Sequence, residues 1–96
     1  MADRRVLCVN KPDRNSRHEH ITNLGGTDAA GARWKFTREE VIRRIDNRTD
    51  TFYTIDPATG RRADVVVVRE AGKLPYVRTV RDGIPTDNLL SLPECP

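Results

Sequence analysis

Four side chains in this sequence are of types that could hold a soft metal: Cys8, His18, His20 and Cys95. Thiolate sulfur and imidazole nitrogen both suit zinc. Residues 4–10 and 18–24 read as two strands. If they pair antiparallel, the two histidines on one strand face sit opposite Cys8, and Cys95 must fold back to close the set. That arrangement would make a small zinc-binding domain. The spacing argues against it. His18-Glu19-His20 is not a usual zinc spacing, and the sequence has no C-x-x-C. Cys8 also stands in an apolar strand, where a free thiol behaves as a small hydrophobe. The expectation is no metal and no cofactor, with both thiols reduced in a cytoplasmic protein.

A second set of residues is basic and aromatic. Arg78 and Arg81 stand near Tyr76, Arg61-Arg62 lie at a hairpin, and Arg43, Arg44 and Arg48 belong to a helix. Phe52, Tyr53 and Tyr76 could stack bases if they emerge on a sheet face that the helix leaves open. Fourteen of the 17 basic residues are Arg, whose planar fork grips phosphate or carboxylate. A net charge of +3 permits an acidic partner without requiring one. Much of the helical charge is answered locally, by Glu39–Arg43 and Glu40–Arg44 at i,i+4. No K/R-G-F/Y sheet motif, GXXG loop or Lys-rich tail is present. Tyr53, Arg62, Tyr76, Arg78 and Arg81 therefore form a candidate surface for a protein partner, with single-stranded nucleic acid as the alternative.

Catalysis lacks a constellation. Cys8 with His20, or Asp64 with Arg78, supplies two groups where three must cooperate. Gly25-Gly26 with Gly31 has no Lys-Ser/Thr behind it and reads as turns rather than a phosphate loop. No residue is assigned a catalytic role, and the expectation is a non-enzyme.

The elements that must position these groups centre on residues 36–47, F-T-R-E-E-V-I-R-R-I-D-N. Thr37 can cap a helix, Glu40 stands where a capping box needs it, and Phe36 and Val41 occupy the staple positions. Val41, Ile42 and Ile45 fall within a 100° arc, a stripe fit to lie on a sheet. Asn47 suits the left-handed position that ends a helix. The sheet follows. Residues 51–55, 62–70 and 74–80 read as a three-stranded meander, its middle strand carrying four consecutive valines. Pro57 and Gly60 suit the first turn, and Pro75 is confined to a strand start.

Before the helix, residues 11–17 form a polar loop, and Gly25-Gly26 break the 18–24 strand and open a loop over residues 25–35. Trp34 and Phe36, two apart in extended chain, can both point inward. Residues 82–96 form an apolar tail in which Leu89, Leu90 and Leu92 pack on the domain, with a short helical turn opened by Asp87. At 96 residues the chain is one domain. Its charged fraction of 32% and its lack of an 18-residue apolar run exclude a helical membrane span. The start, M-A-D-R-R-V, lacks the apolar region of a signal peptide.

The strings I-T-N-L-G-G, W-K-F-T-R-E-E-V-I-R-R-I, F-Y-T-I with V-V-V-V, Y-V-R-T-V-R-D and N-L-L-S-L-P-E-C, in this order and spacing, resemble DUF3892, a family of short bacterial proteins. The resemblance runs from Ile21 to Cys95. It implies a compact α+β domain and no particular activity. Taken together, the expected fold is a small, mostly antiparallel sheet of about four to five strands in β-β-α-β-β-β order, with one helix on one face. The expected function is an interaction or structural module that binds itself or another protein.

Overall fold

The computed structural model describes residues 2–12, 20–86 and 88–96. Among these residues it is an α+β fold of one helix and eight strands. In chain order these are β1 (Ala2–Arg5), β2 (Cys8–Asn10), β3 (Asn23–Thr27), β4 (Arg33–Thr37), α1 (Arg38–Asp46), β5 (Asp50–Ile55), β6 (Arg62–Val68), β7 (Tyr76–Arg81) and β8 (Ile84–Thr86).

The helix begins where its capping chemistry places it. Thr37 is extended, and its hydroxyl accepts the Glu40 amide at 3.1 Å. The Glu40 carboxylate receives Arg43 and, at 2.7 Å, Arg44. Glu39 turns instead to Arg38 at 3.2 Å, so the expected Glu39–Arg43 pair is replaced by an adjacent one. At the other end Asn47 stays right-handed, and Arg48 takes the positive φ of 58°. The reversal lies one residue later than its residue type suggested. Val41 and Ile42 are buried, while Phe36 and Ile45 pack at the margin of the core.

A five-stranded sheet has the order β1-β5-β6-β7-β8, with β1 parallel to β5 and the remaining pairs antiparallel. A three-stranded antiparallel sheet has the order β2-β3-β4. The two meet at Val6-Leu7. The Val6 N–H donates to the Tyr53 carbonyl at 2.8 Å, and the next N–H, that of Leu7, donates to the Gly25 carbonyl at 2.8 Å. Consecutive amides thus serve different sheets, and the chain turns a corner between them. The single strand expected over residues 4–10 is two for this reason.

The glycine pair requires a larger correction. The strand expected at 18–24 begins only at Asn23, and it continues through Gly25 and Gly26 rather than breaking there. A Cβ on Gly26 would stand 2.3 Å from the Arg5 carbonyl oxygen, and one on Gly25 would stand 2.9 Å from that of Trp34. These glycines permit close backbone approach; they do not punctuate the chain. The stretch 25–35, expected as loop, accordingly holds the end of β3, a turn and the start of β4. Asp28 organises that turn by accepting the amides of Ala30 and Ala32, each at 2.9 Å. Most of the 11–17 loop, along with His18 and Asp87, lies outside the described residues.

The meander is as expected, with β8 added beyond it. Strand alternation sends Phe52, Ala63, Val65, Val67 and Val77 toward α1, and Val66 and Val68 to the opposite face. The tail packs on the domain by Leu89, which is fully buried, with Leu90 and Leu92 beside it. Residues 88–92 form a hydrogen-bonded turn there, closed by the Leu92 N–H on the Leu89 carbonyl.

Candidate functional site

The proposed metal set does not assemble among the described residues. Cys8 and Cys95 are joined in a disulfide, which overturns the expectation of two reduced thiols. The physical cause is the course of the C-terminal segment. It runs parallel to β2, bridging Val9 to Glu94, and brings the two Cα atoms to 4.9 Å. His20 is exposed, and no group of three His, Cys, Asp or Glu side chains among the described residues could hold an ion. The Cys8–His20 pairing is pre-empted by the disulfide.

The basic and aromatic set does come together in part. In the register of β5, β6 and β7, Tyr53 pairs with Asp64, Asp64 with Val80, Val66 with Arg78 and Val68 with Tyr76. Paired residues share a face, and residues two apart on one strand share it too. Tyr53, Arg62, Tyr76 and Arg78 therefore lie on the sheet face opposite the helix. Arg81 does not. It is of the same parity as Val77 and Thr79, which point into the core.

On that face the charge of Arg62 is already engaged. Arg62 grips Asp3 with both terminal nitrogens, at 2.9 and 3.1 Å, and donates through Nε to Asp64 at 2.8 Å. Its guanidinium also lies over the Tyr53 ring, 4.1 Å from the centroid. The hydrogen bond from Arg62 holds the Asp3 carboxyl below its ordinary pKa, and the carboxylates in turn raise that of Arg62. Tyr76 is buried, and its hydroxyl donates to Glu70 at 3.1 Å. The ring meant for stacking is covered in both cases.

Several residues of this face were not assigned to it from the sequence: Asp3, Arg5, Ile55, Val66, Val68 and Val80. Ile55 shares parity with Tyr53, and Asp3 and Arg5 join through the parallel pairing of β1 with β5. The alternation within each strand was legible. The register that lines up one strand with the next was not.

A second polar cluster lies under the corner between the sheets. Asp50 is buried and accepts Arg4 at 2.5 Å and Arg44 at 3.2 Å. Those two guanidiniums cover an aromatic group. Arg4 lies over Trp34 and Phe36, and Arg44 over Phe36 at 4.2 Å, with Phe52 edge-on to Phe36. Burial pushes the Asp50 carboxyl up, but the hydrogen bonds from Arg4 and Arg44 outweigh it and leave the pKa lowered. This cluster ties helix, corner and β5 together.

Comparison with known proteins yields a family match. A family model described as "Protein of unknown function (DUF3892)" matches residues 5–93. No curated protein and no solved structure matches the chain. Among the described residues no helix is long and apolar enough to cross a membrane.

Proposed function

The chain belongs to the DUF3892 family, and from that premise we propose that it is a small interaction module that self-associates through the open face of its five-stranded sheet. The observation that carries this reading is an apolar band on that face. Tyr53, Ile55, Val66, Val68 and Val80 lie half-buried across three adjacent strands on the face away from α1, with the Arg62 guanidinium over the Tyr53 end.

The edges of the sheet favour the face over edge pairing. β1 is four residues long and carries Asp3, Arg4 and Arg5, and β8 is three residues long with a central proline. Short, charged and proline-bearing edges resist strand addition. The mixture of charge favours a second copy. Arg5 and Arg78 share the face with Asp3 and Asp64, whose carboxylates stay about half exposed beside Arg62 (48% and 62%), so a two-fold contact can set opposite charges against each other. Three strands of six or seven residues, about 4.8 Å apart and flanked by the two shorter edge strands, offer a face of at most about 24 by 20 Å. That lies at the small end of stable interfaces, so the dimer should dissociate on dilution.

Sedimentation velocity from about 1 to about 300 μM tests this, a range chosen to span weak association. The expected mass rises from 10.9 kDa toward twice that value. Val66→Asp and Val68→Asp, with unaltered far-UV circular dichroism, should remain monomeric throughout. A wild-type chain that stays monomeric at the top of the range, or a dimer indifferent to both substitutions, overturns the reading.

A further inference from the structure

The segment at 93–95 lies along β2 as a parallel partner. The Val9 N–H donates to the Pro93 carbonyl at 3.0 Å, and the Val9 carbonyl accepts the Cys95 N–H at 3.2 Å. Asn10 Nδ2 adds a bond to the Cys95 carbonyl at 3.2 Å, and Lys11 Nζ one to the Leu90 carbonyl at 3.1 Å. The other side of β2 pairs with β3. The segment therefore covers what would otherwise be a free strand edge.

The disulfide locks it there. Cys8 is paired across the sheet with Gly25, and a Cβ at that glycine would lie 3.0 Å from each of the two sulfurs. Glycine there leaves the bridge room to sit over β3, and any Cβ would crowd both sulfurs. Cys8 and Cys95 are both half-buried, and they line a groove of about 400 Å³ together with Leu7, Trp34, Lys35 and Pro93. The bond is thus within reach of a reagent entering from solvent.

Without the bridge, little holds the segment. Among the described residues two backbone bonds and one amide bond join residues 93–95 to β2, and two longer contacts of 3.4 Å add to them, from the Lys11 N–H to the Glu94 carboxylate and from Lys35 Nζ to the Pro96 carbonyl. Pro93 has no N–H to contribute. Immediately upstream the situation reverses, because Leu89 is fully buried and anchors the 88–92 turn in the core. Release therefore stops at that turn.

We propose that Cys8–Cys95 is a redox latch, opened by a dithiol, whose reduction frees residues 93–96, uncovers the outer edge of β2 and removes one wall of the groove. A thiolate of the dithiol attacks one sulfur, breaks the Cys8–Cys95 bond and forms a mixed disulfide. The second thiolate then closes on the first and expels the cysteine. Two electrons leave the dithiol, which departs as its own disulfide, and its two protons end on Cys8 and Cys95.

Residue-resolved hydrogen exchange on the full chain tests the latch. Three samples are compared: oxidised, reduced with dithiothreitol, and the Cys8→Ser/Cys95→Ser variant. Opening of the latch should speed exchange at the Val9 and Cys95 amides by about 100-fold or more. The amides of Phe52, Val65 and Val77 should keep their protection, and the double variant should match the reduced protein. Equal protection of Val9 and Cys95 in all three samples would overturn the latch. So would loss of protection at Phe52, Val65 and Val77 together with them, which would make the bridge a staple of the whole fold. A bond that dithiothreitol reduces only in urea also counts against it, because the sulfurs would then be out of reach in the folded state.

Discussion

Arg62 and Tyr53 are stacked, guanidinium over ring at 4.1 Å, and the same guanidinium is shared between Asp3 and Asp64. The residue best placed to meet a phosphate is thereby neutralised by two carboxylates, and the aromatic face best placed to meet a base is occupied. Both parts of a single-strand binding surface are present, but each is satisfied by the other.

That relationship predicts the outcome of a nucleic-acid titration. Labelled single-stranded DNA or RNA should show no binding at tens of micromolar protein in low salt. Arg62→Ala should act on stability instead, lowering it by about 1 kcal/mol as an exposed stacked contact with surface ion pairs. Binding that weakens steeply with salt and vanishes in Arg78→Ala would establish the nucleic-acid reading in place of self-association.

Asp50 and Asp3 predict how stability depends on pH. Both carboxyls are held below their ordinary pKa in the folded chain. Their contribution is present in full above the unfolded value, about 3.9, and is lost as pH falls through the depressed folded value. Thermal melts should be flat from about pH 7 to about pH 5 and fall below about pH 4. Asp50→Asn should cost about 2 kcal/mol at neutral pH. That is less than for a fully buried pair, because Arg4 and Arg44 keep some contact with water. It should also flatten the acid limb, and an unchanged limb would remove Asp50 from the account.

Two kinds of glycine separate under alanine substitution. At Gly26 the added Cβ would meet the Arg5 carbonyl oxygen at 2.3 Å, so backbone must move where the two sheets join. Urea denaturation should show a loss of about 2–3 kcal/mol. Gly31 has open space around it but a φ of +84°, so Gly31→Ala pays only backbone strain, about 1 kcal/mol. The reverse order would mean that β3 and β1 are not closely apposed.

The core predicts a ranking between two aliphatic truncations. Leu89 is fully buried in the tail, whereas Ile45 sits at the edge of the helix stripe. Leu89→Ala should cost about 3 kcal/mol and Ile45→Ala about 1 kcal/mol, because the margin can relax or admit water. Equal losses would place Ile45 deeper than the packing does.

The helix and the meander were legible because their causes are local. A Thr37 hydroxyl reaches an amide three residues away, and an apolar stripe repeats within one turn. The alternation of β5, β6 and β7 needs only neighbours along the strand. The family resemblance rested on the same short strings. The larger misreadings depended on residues far apart. Cys8 and Cys95 are separated by 87 positions, and only the path of the chain around β2 brings them together. Gly25 and Gly26 looked like turn residues because the backbone that crowds them belongs to Arg5 and Trp34. Arg81 was grouped with Arg78 by type and closeness in sequence, yet parity sends it to the other face. The charge of Arg62 was counted as available because Asp3, its main partner, lies 59 residues away. Local propensity carries no record of such distances. Register, sheet corners and disulfide pairing are settled only when the whole core closes, and they decide which of the chemically suggestive side chains remain free to act.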